Sequence, residues 1–165
     1  KNPIEFSNEK TIKRQYFKMD GKPVFKFAVK EMPEIVEKVW TSSGFKMEDL
    51  NNKLKVLIPH QANLRIIGAS VELLKIDPKK VHTNGVEFLG NSSAASCLVS
   101  LDYEYKHGNI GKNDLVCLVA FGAGLTSGGA VIQWNKDIYQ VPIESEHKNL
   151  IEEFYDKYKF FTKDI

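Results

Sequence analysis

A chain of 165 residues that is 42% hydrophobic can close one compact domain around a real core and is too short for two. Its 23 basic and 21 acidic residues leave a formal charge of +2, which excludes a global field for nucleic acid and confines any acidic partner to a local patch. No apolar run approaches the roughly 18 residues of a membrane-spanning helix, and Cys97 and Cys117 lack metal-ligand spacing, so buried thiols in a reducing cytoplasm are expected. No signal-peptide pattern opens the chain, and Lys1 in place of a methionine leaves its true start open.

Residues 1–10 are polar and aperiodic and read as a loop. Residues 11–18 alternate in character and stop at Asp20-Gly21, a turn signal, which predicts a first strand. Val24, Phe25, Phe27, Ala28, Met32, Ile35, Val36, Val39 and Trp40 then follow helical spacing to Ser43-Gly44, with Pro33 as a kink or break. Residues 46–50 suit a short helical turn. Val56, Leu57 and Ile58 form a continuous apolar run that predicts a strand at 54–58, buried on both faces and ended by Pro59. A helix from about 61 to 75 follows, terminated by Asp77-Pro78.

Residues 81–83 predict a brief strand, and Asn91-Ser92-Ser93 offers N-cap chemistry for a helix running to about His107 and closed by Gly108. Residues 115–121 and 130–134 read as strands. The order βαβαβαββ implies an α/β layer with a mixed five-stranded sheet covered by helices. Beyond Trp134, a polar bridge leads to Leu150, Ile151, Phe154, Tyr155, Tyr158 and Phe161, whose spacing gives an amphipathic helix with an aromatic face. The expected organisation is therefore a domain over 1–134 and an extension over 135–165.

His60 falls between the strand at 54–58 and the helix after it, where open α/β sheets line a ligand crevice. The partial positive charge of a helix N-terminus would keep its imidazole neutral near pH 7, a form that can polarise a carbonyl. Each local feature also has a structural reading. His60 and Asn63 can satisfy backbone groups, Asn91 can be a helix cap, and the glycines of Phe121-Gly-Ala-Gly-Leu-Thr-Ser-Gly128 can make a turn between strands. A dinucleotide loop is excluded, because the glycines precede a strand where that motif needs a helix.

Three blocks taken together say more. Pro59-His-Gln-Ala-Asn63 with Leu64-Arg-Ile-Ile67, then Gly90-Asn-Ser-Ser-Ala-Ala-Ser96, then Ala120-Phe-Gly-Ala-Gly-Leu-Thr126, resemble in order and spacing the C-terminal half of a β-ketoacyl-acyl carrier protein synthase III. The likeness covers most of residues 11–134. It implies the C-terminal half of the thiolase fold, and the transfer of an acyl thioester followed by decarboxylative condensation with a malonyl group in fatty acid biosynthesis. It assigns His60 and Asn91 as catalytic donors to the thioester oxygen. It places Phe121, Gly122, Ala123 and Gly124 in a loop at the substrate, with a backbone N–H in the oxyanion hole.

The likeness further implies that Asn63 binds the pantetheine arm, and that Arg65 and Lys26 face an acidic acyl carrier protein, although solvated surface charge is the plain alternative. No cofactor is implied; coenzyme A or phosphopantetheine thioesters are substrates. Partners would be the acyl carrier protein, an acyl-coenzyme A, the N-terminal half of the same synthase with its nucleophilic cysteine, and a second copy in a homodimer. The role of that cysteine does not transfer to Cys97 or Cys117. Ala123 stands where glycine is frequent in the family and Glu72 where a basic residue is common, and the segment after Trp134 departs from the pattern. Two other functions stay open: a non-catalytic binding or assembly module, and a related acyltransferase that does not decarboxylate.

Overall fold

The computed structural model describes residues 19–139. The expected strand at 11–18 and the expected helix around 150–161 lie outside the described residues. Helix α1 spans Gly21–Ser42, opened by Asp20, whose side chain accepts a hydrogen bond from the Lys22 N–H. Its buried residues Ala28, Met32, Ile35, Val36 and Trp40 form one stripe at helical spacing. The long helix expected here runs unbroken through Pro33, so of the kink or break expected at that residue the break does not occur. An interior proline costs about 3 kcal/mol, and burial of Met32, Val36 and Trp40 at either side of it offsets that loss. Trp40 also donates its indole N–H to the Lys46 carbonyl, which pins the turn leaving the helix.

A 3-10 turn at Met47–Asp49 and the single-turn helix α2 (Leu50–Lys53) lead into strand β1 (Leu54–Pro59). After helix α3 (Leu64–Leu74), a 3-10 turn at Pro78–Lys80, helix α4 (Asn84–Leu89), a 3-10 turn at Ser93–Ala95 and helix α5 (Ser96–Lys106), the chain closes the sheet with β2 (Leu115–Gly122) and β3 (Thr126–Gln133). Strand β1 pairs in parallel with β2, from Leu54 opposite Leu115 to Pro59 opposite Val119. Strand β2 pairs antiparallel with β3, so the sheet is mixed. Side chains alternate between faces. Leu57, Cys117 and Val119 pack with α1 and α3, whereas Val56, Ile58 and Val116 pack with Ile110 and the α5 residues Cys97, Leu101 and Tyr105. Strands β1 and β2 are therefore the buried middle of three layers, as the apolar run at 56–58 requires.

Three strands make the sheet among the described residues, where five were expected. The strand foreseen at 81–83 is one parallel bridge from Val81 to Leu57, supported by the His82 N–H to Leu57 carbonyl bond of 2.9 Å. The 3-10 turn ending at Lys80 and helix α4 starting at Asn84 leave too few residues for a longer ladder. Helix α4 was not foreseen: six residues with no buried side chain carry no periodic signal. Helix α3 begins at Leu64, later than expected, because Asn63 is its N-cap and the residues before it are held by side-chain bonds. Asn91 does not cap α5 directly, since the 3-10 turn intervenes.

Candidate active site

Strand β1 delivers His60 to the edge of the sheet. The His60 N–H donates to the Val119 carbonyl at 2.7 Å, which extends the β1–β2 ladder one residue past Pro59 and fixes the backbone under the imidazole. The ring is half-buried, and burial holds its pKa below the usual histidine value. The expected neutral form stands, with a different cause. Helix α3 starts four residues on and its first turn is capped by Asn63, so desolvation rather than a helix terminus favours the uncharged ring.

Two side chains orient that ring. Ser96 Oγ, at the first turn of α5, lies 2.5 Å from His60 Nδ1. Phe121, at the end of β2, meets the imidazole edge to face at a centroid distance of 5.2 Å. The structure thus brings together His60, the end of β2 and the start of α5.

Asn91 lies just ahead of that turn and is exposed. Its Oδ1 accepts the Ser93 N–H at 2.9 Å, which leaves Nδ2 as the free donor and fixes how the amide faces. No hydrogen bond joins Asn91 to His60 among the described residues; the two are linked only through the chain that carries Ser96. His60 follows a strand directly, whereas α4 separates Asn91 from the Val81 bridge.

Residues 123–125 connect β2 to β3 and, with Gly122 before them, are exposed. Gly124 has φ +145°, and a Cβ there would lie 2.6 Å from Thr126 Cγ2 and 3.0 Å from the Thr126 nitrogen, so this position requires glycine. Ala123 is not among the non-glycine residues with positive φ, and its Cβ meets no backbone penalty. Alanine is therefore a compatible substitute at the position where glycine was expected. Asn63 Oδ1 accepts the Arg65 N–H at 2.8 Å, so this asparagine is a cap whose Nδ2 stays open. Arg65 on α3 and Lys26 on α1 are both exposed, on helices that pack against each other, and neither forms an ion pair among the described residues.

Neither cysteine is reactive. Burial pushes the Cys117 thiol up to about 12 and raises Cys97, whose Sγ faces the Val119 carbonyl at 3.8 Å.

Sequence reasoning missed the polar residues beneath the site. Gln61 is almost fully buried; its Nε2 donates to the Pro59 carbonyl at 2.7 Å and the His82 carbonyl at 3.0 Å, and its Oε1 accepts the Val86 N–H at 3.2 Å. His82 donates from Nδ1 to Glu104, because its Nε2 accepts the Gly85 N–H at 3.3 Å. Asn109 donates to the other Glu104 oxygen at 2.7 Å. The signal that could have found them is Ser96, Ser100 and Glu104, a run of polar residues every fourth position that forms the buried face of α5.

Residues 43–134 match the family model described as 3-oxoacyl-[acyl-carrier-protein] synthase III C terminal. The chain belongs to that family. The synthase III of Caldanaerobacter subterraneus subsp. tengcongensis is 47% identical over 118 residues, covering 72% of this chain and 34% of that protein. The synthase III of Clostridioides difficile is 46% identical over 116 residues, with 70% and 34% covered. Among solved structures, the synthase III of Thermus thermophilus superposes with a TM-score of 0.66 at 40% identity, covering 72% of this chain and 35% of that one. This chain spans about a third of the length of the curated synthases it matches. The order of its three described strands and the helices on both faces are those of the C-terminal half of a thiolase fold. No described helix is long and apolar enough to cross a membrane.

Proposed function

We propose that this chain is the C-terminal catalytic half of a synthase III that joins an acyl thioester to malonyl-acyl carrier protein by decarboxylative Claisen condensation in fatty acid biosynthesis. The observation that carries this reading is the half-buried, neutral His60, held by Ser96 and Phe121 at the sheet edge within the family's sequence block. When the malonyl C–C bond breaks and carbon dioxide leaves, the electron pair passes to the thioester carbonyl and charge develops on its oxygen. Neutral donors aimed at that oxygen stabilise the enolate without giving up a proton to it. The imidazole N–H of His60 and the Nδ2 of Asn91 are those donors. The enolate carbon then attacks the carbonyl of an acyl group carried by a cysteine of the N-terminal half, with a backbone N–H of residues 122–124 at the second oxyanion, and as that intermediate collapses the C–S bond breaks and the cysteine leaves as a thiolate.

The substrates in this reading are an acyl-coenzyme A and the malonyl thioester of an acyl carrier protein, with no further cofactor. Asn63 Nδ2 meets the pantetheine arm, and Arg65 with Lys26 meets the acidic carrier. The complete enzyme is a cytoplasmic homodimer.

The test supplies the complete synthase with acyl-coenzyme A and malonyl carrier protein. One carbon dioxide released per ketoacyl product is expected. Acyl transfer without carbon dioxide release would favour a non-decarboxylating acyltransferase. A stable complex with no turnover would favour an assembly module.

A further inference from the structure

Hydrogen-bond accounting at Ser96 goes beyond the roles assigned so far. Ser96 is 2% exposed, and its Oγ lies 2.5 Å from His60 Nδ1, 3.3 Å from the Gln61 backbone nitrogen, and beside the Cys97 thiol, with which it also interacts. The Gln61 N–H can only donate, so Oγ accepts there. The hydroxyl keeps one hydrogen of its own, and of the two acceptors beside it His60 Nδ1, at 2.5 Å, is far stronger than the Cys97 sulfur, whose own hydrogen goes to the Val119 carbonyl. The opposite arrangement, with Nδ1–H donating to Oγ, would give the buried hydroxyl hydrogen only a thiol sulfur, a weak acceptor, in place of the imidazole nitrogen. We infer that Ser96 is a positioning residue that fixes His60 in the tautomer bearing its proton on Nε2, the nitrogen with no protein partner among the described residues.

The consequence rests on the proposed role of His60 as a donor to the thioester oxygen. A free imidazole exchanges between tautomers, and only the one protonated on the substrate-facing nitrogen can donate. Burial of the ring keeps a second proton off, so the neutral ring needs an external group to choose its tautomer. Gln61 supports the arrangement at one remove. Its side chain ties the Pro59 and His82 carbonyls together, and its backbone N–H donates to Oγ.

The test records long-range proton–nitrogen NMR spectra of the complete synthase, labelled with nitrogen-15 in histidine, for wild type, Ser96→Ala and Ser96→Thr, with His60→Ala locating the signal. Wild type should show an unprotonated Nδ1 and a protonated Nε2. Ser96→Ala should shift both nitrogens toward exchange-averaged values and lower the turnover number for malonyl decarboxylation at least about tenfold, the scale of one lost hydrogen bond to a positioned ring. The KM should stay within a few-fold. Ser96→Thr, which keeps the hydroxyl, should retain the wild-type pattern. A wild-type proton on Nδ1 overturns the inference, and needs no variant to fold. An unshifted Ser96→Ala spectrum overturns it as well. A shifted spectrum with unaltered decarboxylation supports the tautomer lock and overturns the catalytic reading of His60 instead.

Discussion

A Cβ on Gly85 would lie 2.8 Å from Gln61 Cγ, so the turn into α4 closes over the buried glutamine only because residue 85 is glycine. Gln61 cannot swing away cheaply, since its amide holds the Pro59 and His82 carbonyls and the Val86 N–H. Gly85→Ala should therefore destabilise the fold by about 1–3 kcal/mol through overpacking. Gln61→Ala should cost a similar amount, about 1–3 kcal/mol, by leaving buried polar groups unpaired. Removing Gln61 also removes the clash, so the double variant should lose less than the sum. Denaturant midpoints of the four proteins check this; strict additivity would separate the two residues.

Glu104 gives the fold a pH dependence with a defined sign. Burial alone would raise its carboxyl pKa, but the hydrogen bonds from His82 and Asn109 together with the charge interactions of His82 and His107 outweigh that and hold it below the ordinary value. A carboxyl whose folded pKa is depressed contributes stability that is complete above the unfolded pKa, about 4.3, and is lost as pH falls through the folded value. Glu104→Gln should thus be less stable than wild type at pH 6 to 7, with the gap closing below about pH 4. Thermal melts across that range test it, and a gap that widens on acidification would be contrary.

How much of this was legible before the structure depended on whether local pattern and tertiary packing agreed. Helix α1 and the run at 56–58 were legible because apolar periodicity and burial coincide there. Pro33 misled, because packing of Met32, Val36 and Trp40 overrides a local helix breaker. Helix α5 was foreseen to its end at about His107, but not which of its residues are buried. Its most buried residues are Ser96, Ser100 and Glu104, beside the apolar Cys97, Leu101 and Tyr105 that pack on the sheet, while Leu98 is 64% exposed, so the polar half of the packed face carries no apolar signal. The site residues His60, Asn91 and Phe121 stood inside the three sequence blocks, and Ser96 stood there unnoticed. The cause of His60 neutrality was misread, since the start of α3 depends on the Asn63 cap, which spacing alone places three residues too early.

The loop after β2 separates its two central residues. Gly124→Ala meets both a left-handed φ and a close contact with Thr126, and should lower kcat/KM of the complete synthase about tenfold or more, since about 1–3 kcal/mol of strain must be relieved by moving the loop. Ala123→Gly introduces neither problem and should stay within a few-fold of wild type. Steady-state kinetics on both variants decides, and equal tolerance of the two would show that loop geometry does not set the rate.

Arg65 is exposed on α3 and offers a permanently charged fork suited to phosphate oxygens. Arg65→Glu in the complete synthase should raise the KM for the malonyl carrier substrate with a smaller effect on turnover, and the defect should shrink at high salt as exposed charges are screened. An unchanged KM at low salt would return Arg65 to the role of a solvated helix charge.

The most direct measurement follows carbon dioxide release from malonyl carrier protein, together with acylation of the N-terminal-half cysteine, in the complete synthase carrying His60→Ala or Asn91→Ala. Loss of one oxyanion donor should slow decarboxylation about 10²–10³-fold, while acylation stays within a few-fold of wild type. Equal loss of both steps would contradict the account and assign His60 and Asn91 to the nucleophile.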